Sequence, residues 1–191
     1  MLWAAQRDVQ LPPFSFGRRW SRFLHAYYNA PDHPAKLRII GLLERLTGNR
    51  RVVVPTRWGF EMAVDKRDFV QRTIFSQGVY EPEVTELLLT ELMPTDVFYD
   101  IGANTGYYTC AAAAKGVQSI YAFEPDPLSC SVLLLNLRLN DVPDNQCVVF
   151  QFAVGDKNAN RLFHRAHVSN TGQSGFQERN AVQQFESKRA H

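Results

Sequence analysis

Val97-Phe-Tyr-Asp-Ile-Gly-Ala-Asn-Thr-Gly-Tyr107 runs from an apolar stretch through a glycine loop into an alanine-rich segment that ends at Lys115 and Gly116. Five mostly apolar residues before a glycine turn predict a buried strand, and the alanine-rich segment with its glycine stop predicts a helix. The pattern then repeats. Ser119 to Phe123 reads as a second strand. Asp126 and Pro127 open a helix that passes Leu133 and closes near Asn140, and Cys147 to Ala153 reads as a third strand. Strand, helix, strand, helix, strand within residues 96–156 predicts parallel pairing through right-handed crossovers. That is half of a doubly wound, Rossmann-like α/β sheet with flanking helices.

Upstream, residues 82–93 read as a helix with Val84, Leu87, Leu88 and Leu92 on one face and Pro94 as its stop. Residues 52–64 read as two short strands, Val52 to Val54 and the alternating Phe60, Met62 and Val64. Residues 1–51 form a basic, aromatic arm. Phe16, Trp20, Phe23 and Tyr27 recur at helical spacing, and a second helix is capped by Asp32, begins at Pro34, carries Leu37, Ile40, Leu43 and Leu46, and stops at Gly48. Downstream, residues 161–176 read as a polar hairpin or loop around Ser169 to Gly172, and from Gln177 onward no apolar period remains, so a disordered tail is expected. The expected division is a helical arm over 1–51, a partial domain over 52–176 and a tail over 177–191.

The bulk properties are those of a soluble globular protein, with 45% apolar and 21% charged residues in a chain of 191. No apolar run approaches the roughly 20 residues that span a bilayer, and no secretory signal pattern opens the chain. Cys110, Cys130 and Cys147 are widely spaced, odd in number and without a C-x-x-C pair. That argues against a disulfide framework or a metal site and suits a cytoplasmic protein. The net charge of +2 is uneven: residues 1–51 hold nine Lys/Arg against three Asp/Glu, and residues 52–191 hold twelve against sixteen. The basic arm is either a solvated face or a weak contact for a membrane surface or a protein. The acidic remainder disfavours nucleic acid as a partner.

The loop between the first predicted strand and its helix decides the chemistry. A dinucleotide loop would read G-x-G-x-x-G. Here the spacing is D-x-G-x-x-x-G from Asp100 through Gly102 to Gly106. A carboxylate at that point repels a pyrophosphate and suits a ligand with an ammonium group. S-adenosyl-L-methionine carries one, beside a carboxylate that helix N-terminal amides can accept. Glu124 ends the second strand 22 residues after Gly102, where this fold class places the acid that receives ribose hydroxyls. Phe152 to Asp156 follows the third strand on the same edge, where an adenine ring would rest. The structural alternative is a tight turn and a surface carboxylate with no ligand.

At Gly78-Val-Tyr-Glu-Pro82, at Val97 through Thr109, at Val117 through Pro127 and at Ala153-Val-Gly-Asp156, the sequence resembles the FkbM family of methyltransferases, over roughly residues 52–176. The resemblance implies a class I methyltransferase fold and methyl transfer, usually to an oxygen of a small molecule such as a sugar or a polyketide. By position it implies cofactor contacts from Asp100, Gly102, Asn104, Thr105 and Gly106, a ribose contact from Glu124 and an adenine contact near Ala153. Tyr80 and Glu81 either lie over the methionine end or cap the helix that follows. Family members continue past the Asn170-Thr-Gly172 loop into a fourth strand and three more, in the sheet order 3-2-1-4-5-7-6. No such signal follows Ala153 here, so a half-domain incomplete at the C-terminus is expected, its missing strands absent or supplied by another chain. The edge at Val97 to Tyr99 would then lie bare unless the arm covers it.

No catalytic residue is assigned: His164 and His167 read as solvated hairpin residues rather than as a base. Two rivals stand beside the methyltransferase. One is a catalytically inactive cofactor-binding fragment or interaction protein. The other is a nicotinamide-dependent oxidoreductase, against which the loop spacing and Asp100 both speak.

Overall fold

The structure, a computed structural model, describes residues 51–157 throughout, together with residues 27, 30, 31, 35, 38, 39, 42, 163, 164, 175 and 176. Two-residue alternation of valines makes the first unit. β1 (Arg51–Pro55) and β2 (Glu61–Asp65) pair antiparallel with Val52 opposite Val64 and Val54 opposite Met62, and these four side chains are buried. Every second backbone N–H of β2 points away from β1 and would be orphaned there. Three side-chain amides take them: Asn140 Oδ1 accepts from Glu61 N at 2.7 Å, Asn136 Oδ1 from Ala63 N at 2.7 Å, and Gln71 Oε1 from Asp65 N at 2.8 Å.

Helix α1 (Phe69–Gln77), for which the sequence pattern had suggested nothing, starts where the Asp68 carboxylate accepts from Gln71 N at 3.0 Å. It ends at Gly78 in the left-handed region. Helix α2 (Pro82–Glu91) has the expected extent but not the expected face. Val84 and Leu87 are exposed, whereas Thr85 is buried and Leu89 and Leu92 pack against the core. Thr85 can occupy the inner position because its hydroxyl donates to Tyr80 O at 2.6 Å, and positions four and seven residues on then fall on the same side.

The second unit is the βαβαβ run: β3 (Val97–Ile101), α3 (Tyr107–Ala114), β4 (Ser119–Phe123), α4 (Pro127–Leu139) and β5 (Cys147–Phe150). All three strands are parallel in the order β3-β4-β5, with Asp100 opposite Ala122 and Phe123 opposite Phe150. This α/β order is the 3-2-1 half of the sheet that the resemblance implies. β5 stops at Phe150, short of the expected Ala153. The capping residue Asp126 accepts from Ser129 N and Ser129 Oγ, and Pro127 occupies the first turn of α4, as its sequence signs indicate.

β3 is not the buried strand its composition suggested. Val97, Tyr99 and Ile101 are 53%, 59% and 63% exposed. The strand lies at the sheet edge, and both helices cover only the face that carries Asp100, Ile120, Ala122 and Val149. On the other face Tyr99 stacks on Tyr121 at 5.2 Å between ring centroids and Phe123 on Phe150 at 4.9 Å. The core sits between the covered face, α3, α4 and the β1–β2 hairpin, with Met62, Cys110, Ile120 and Leu133 fully buried or nearly so. The thiols of Cys110, Cys130 and Cys147 all lie in it, and burial pushes their pKa values up.

Of the expected arm, Tyr27, Arg38, Ile39 and Leu42 are helical, and Tyr27 packs on the core. Phe16, Trp20, Phe23, Asp32, Pro34, Leu37, Ile40, Leu43, Leu46 and Gly48 lie outside the described residues, as does the tail from Gln177. Downstream, β6 (Phe163–His164) and β7 (Gly175–Phe176) pair antiparallel, the two ends of the expected hairpin. Among the described residues no helix is long and apolar enough to cross a membrane.

Helix α4 lies hard against the glycine loop. Gly106 has φ +84, and a Cβ there would stand 2.8 Å from Leu133 Cγ. Gly106→Ala therefore combines backbone strain with overpacking, and should lower the unfolding free energy by roughly 1–3 kcal/mol. Urea titration followed by circular dichroism checks this; an unchanged midpoint would mean that Leu133 moves aside freely.

Candidate functional site

Because the three strands are parallel, their carboxyl ends share one rim, and the segments after β3, β4 and β5 meet there. The loop after β3 is strongly bent. Gly102, Asn104 and Gly106 all have positive φ, +81, +50 and +84. The neighbouring strand holds it: Gly102 N and Ala103 N both donate to Phe123 O, at 2.9 and 3.0 Å. Asn104 N donates to Glu124 Oε2 at 2.8 Å, and the other oxygen of the same carboxylate accepts from Asp126 N at 2.7 Å. Glu124 thus clamps the glycine loop to the start of α4.

Thr105 is fixed from the other side, where Asn136 Nδ2 donates to its carbonyl oxygen at 2.7 Å. Gly102 is exposed, and nothing lies within 4 Å of the place a Cβ would take. Asn104 Oδ1 is buried with no hydrogen-bond partner among the described residues. Beside them, the first-turn amides of α3 lack intrahelical acceptors, as in any helix.

Asp100 does not project to the rim. It is buried on the helix-covered face and accepts a hydrogen bond from the Thr109 hydroxyl in α3. Burial raises its pKa above the ordinary carboxylate range, and the Thr109 bonds oppose that shift. Glu124 is buried on the same side of the sheet. Burial raises its pKa too, the amides of Asp126 and Asn104 lower it, and the charges of Asp126 and Asp100 add to the rise. Ala153 lies three residues beyond the end of β5, half-buried and next to Phe152, whose ring meets Phe123 edge-on at 5.6 Å.

Glu81 precedes Pro82 with φ +42 and ψ 70, a conformation that few non-glycine residues adopt. Its side chain makes no cap bond to α2. Instead Tyr108 Oη, in the first turn of α3, donates to Glu81 Oε2 at 2.6 Å. The Tyr80 ring packs against Tyr107 at 5.9 Å. Glu81 thus stands at the N-cap position of α2 without a side-chain cap bond, and both residues of the pair lie beside the first turn of α3.

Thr109 and Asn136 were not among the candidates read from sequence. Asn136 carried a signal: it is a poor helix former within a largely apolar helix, followed four residues on by Asn140 at the C-cap. Elsewhere, a groove of about 560 Å³ lined by Trp58, Leu89, Thr90, Ala114 and Lys115 opens at the opposite end of α3 from the loop.

The family model of the methyltransferase FkbM domain matches residues 100–190. Over that stretch, just under half of the chain, the protein is similar to the methyltransferase FkbM domain. The match begins at the loop's own acid and takes in the tail that composition had set apart, while Gly78 to Pro82 fall outside it. Over 63 residues the chain is 35% identical to a tRNA (guanine(37)-N(1))-methyltransferase of Leishmania major, a segment that is 33% of this chain and 9% of that protein. Over 47 residues it is 40% identical to the hexuronic acid methyltransferase AglP of Haloferax volcanii, covering 25% of this chain and 19% of the relative. The chain therefore spans only a small part of either relative. The structure of TYW2 from P. horikoshii in complex with MeSAdo superposes with a TM-score of 0.44 at 17% identity, covering 63% of this chain and 48% of that one.

The raised pKa values of Asp100 and Glu124 carry a sign. The folded chain holds these two protons more tightly than the unfolded chain does. Their contribution to stability is therefore full below the ordinary carboxylate pKa of about 4, and is lost as pH rises through the raised folded values. Asp100→Asn, which can still accept from Thr109, should flatten the fall in stability as pH rises above the ordinary carboxylate pKa of about 4. Urea midpoints of both proteins across that range test it, and parallel curves would show that Asp100 titrates as in the unfolded chain.

Proposed function

We propose that this chain binds S-adenosyl-L-methionine at the rim of the sheet and serves methyl transfer to an oxygen of a small molecule, a sugar hydroxyl above all. The observation that carries the reading is the clamp of Glu124 on Asn104 N, beside a glycine with open space before it and an amide oxygen without a partner. These residues fit the cofactor. The first-turn amides of α3 suit its carboxylate. Asn104 Oδ1 is an acceptor for an ammonium or a hydroxyl donor, and Glu124 keeps lone pairs for ribose hydroxyls beyond the two amides it receives. Phe152 and Ala153 offer an apolar ledge for adenine.

When bound, the cofactor supplies a methyl group made electrophilic by its sulfonium. What the chain contributes is alignment and the exclusion of water, and such positioning supplies roughly 7–11 kcal/mol in favourable cases. Asp100 acts at one remove: through Thr109 it sets the first turns of α3, whose amides face the ligand. A sugar acceptor accords with the likeness to a hexuronic acid methyltransferase. A polyketide hydroxyl belongs to the same chemical class. The second reading, a cofactor-binding protein without transfer, draws on Val97, Tyr99 and Ile101, which are exposed on the face that neither helix covers.

Calorimetric titration with S-adenosyl-L-methionine, followed by a labelled-methyl assay on hexuronic acids and other hydroxylated acceptors, separates these readings. The expected result is saturable binding with transfer to at least one acceptor. Binding without transfer supports the second reading, and no binding overturns both. Glu124→Ala removes the ribose acceptor together with the loop clamp, so affinity should fall at least tenfold, about 1.5–3 kcal/mol for a hydrogen bond to a charged group.

A further inference from the structure

Asn136 is fully buried in the last turn of α4. A carboxamide there is costly unless both of its ends are satisfied. It is satisfied by two segments distant in sequence. Its Oδ1 accepts from Ala63 N in β2 at 2.7 Å, and its Nδ2 donates to Thr105 O in the glycine loop at 2.7 Å. Asn140, one turn on, binds the same hairpin through Glu61 N at 2.7 Å and Glu61 O at 2.8 Å. Its remaining contacts are Asn136 O and Cys110 Sγ, neither of them in the loop. The two asparagines therefore do the same work at the hairpin, and only one of them reaches the site.

We propose that Asn136 is a positioning residue for the cofactor loop: its carboxamide ties Thr105 to the free edge of β2, so that the hairpin sets the shape of residues 102–106. The loop has reason to need an outside anchor. Three of its five residues have positive φ, Gly102, Asn104 and Gly106, a conformation open to glycine and asparagine but held only where the surroundings fix it. Glu124 holds Asn104 N from the β4 side, and Asn136 holds the next residue's carbonyl from the α4 side. The two anchors together fix the peptide between Asn104 and Gly106, which leads into the first turn of α3. The functional half of this proposal rests on the cofactor reading above, and the structural half does not.

The test compares N136D with N140L. Aspartate keeps the acceptor for Ala63 N and loses the donor to Thr105, whereas N140L strips the hairpin and leaves the loop bond in place. N136L, apolar and close in shape, stands in if a buried carboxylate prevents folding. Hydrogen exchange read by mass spectrometry on the ligand-free chain should show at least tenfold faster exchange at Ala103 to Thr105 in N136D or N136L. In N140L the acceleration should be confined to residues 51–65. Affinity for S-adenosyl-L-homocysteine should fall at least tenfold in the Asn136 variants and stay within twofold of wild type in N140L. Equal exchange in the loop for all variants would overturn the proposal. Faster loop exchange with unchanged affinity would confine Asn136 to a structural role and overturn its functional half. A wild-type chain that fails to bind the nucleoside would sink the cofactor reading, while the exchange data would still decide whether Asn136 positions the loop.

Discussion

Two parallel crossovers made in the same direction across a sheet, with the same hand, lay both of their helices on one face. The order β3-β4-β5 imposes that constraint here, and much of the structure follows from it. α3 and α4 cover one side, and the core, the β1–β2 hairpin and α2 all build outward on that side. The other side keeps its ladder of Tyr99 with Tyr121 and Phe123 with Phe150 turned outward. The same parallel order brings the three strand ends to a single rim, so residues separated by about 50 positions come to border one place.

At that rim the backbone turns sharply, and the polar groups released by turning must find partners in a partly dry setting. Glu124 and Asn136 answer that need from opposite sides of the glycine loop, one with a carboxylate and the other with a carboxamide. The arrangement is not the most stable one available. Two buried carboxyls with raised pKa values, positive φ at Asn104 and an orphaned amide oxygen are all costs that a purely structural turn would avoid. Their concentration within a few residues of each other is what distinguishes this turn from those at Gly59 or Gly116, where the bend carries no such groups.

The hairpin shows a related economy. A two-stranded ribbon leaves the outer edge of β2 unpaired, and edges of that kind invite pairing with other chains. Among the described residues, Gln71, Asn136 and Asn140 close it with side-chain amides. Asn136 within α4 and Asn140 at its C-cap therefore serve the hairpin, and edge protection and loop geometry share a residue.

What could be read from sequence alone was local. The apolar runs of β3, β4 and β5, the alanine-rich α3, the Asp126-Pro127 start of α4 and the bends at Gly102 and Gly106 depend on side-chain period, caps and backbone freedom within a few residues, and these carry the fold class. Tertiary structure decided what depends on neighbours far along the chain. Composition cannot tell a buried strand from an edge strand, so Val97, Tyr99 and Ile101 came out exposed. Helical period alone cannot choose the inner face of α2, which Thr85 settles through Tyr80 O. Nor could it show that Asp100 turns inward to Thr109, or that Asn136 joins residues 63 and 105. Those outcomes depend on which groups are left needing a hydrogen bond once the layers have packed, and that is a property of the assembled chain rather than of any stretch of it.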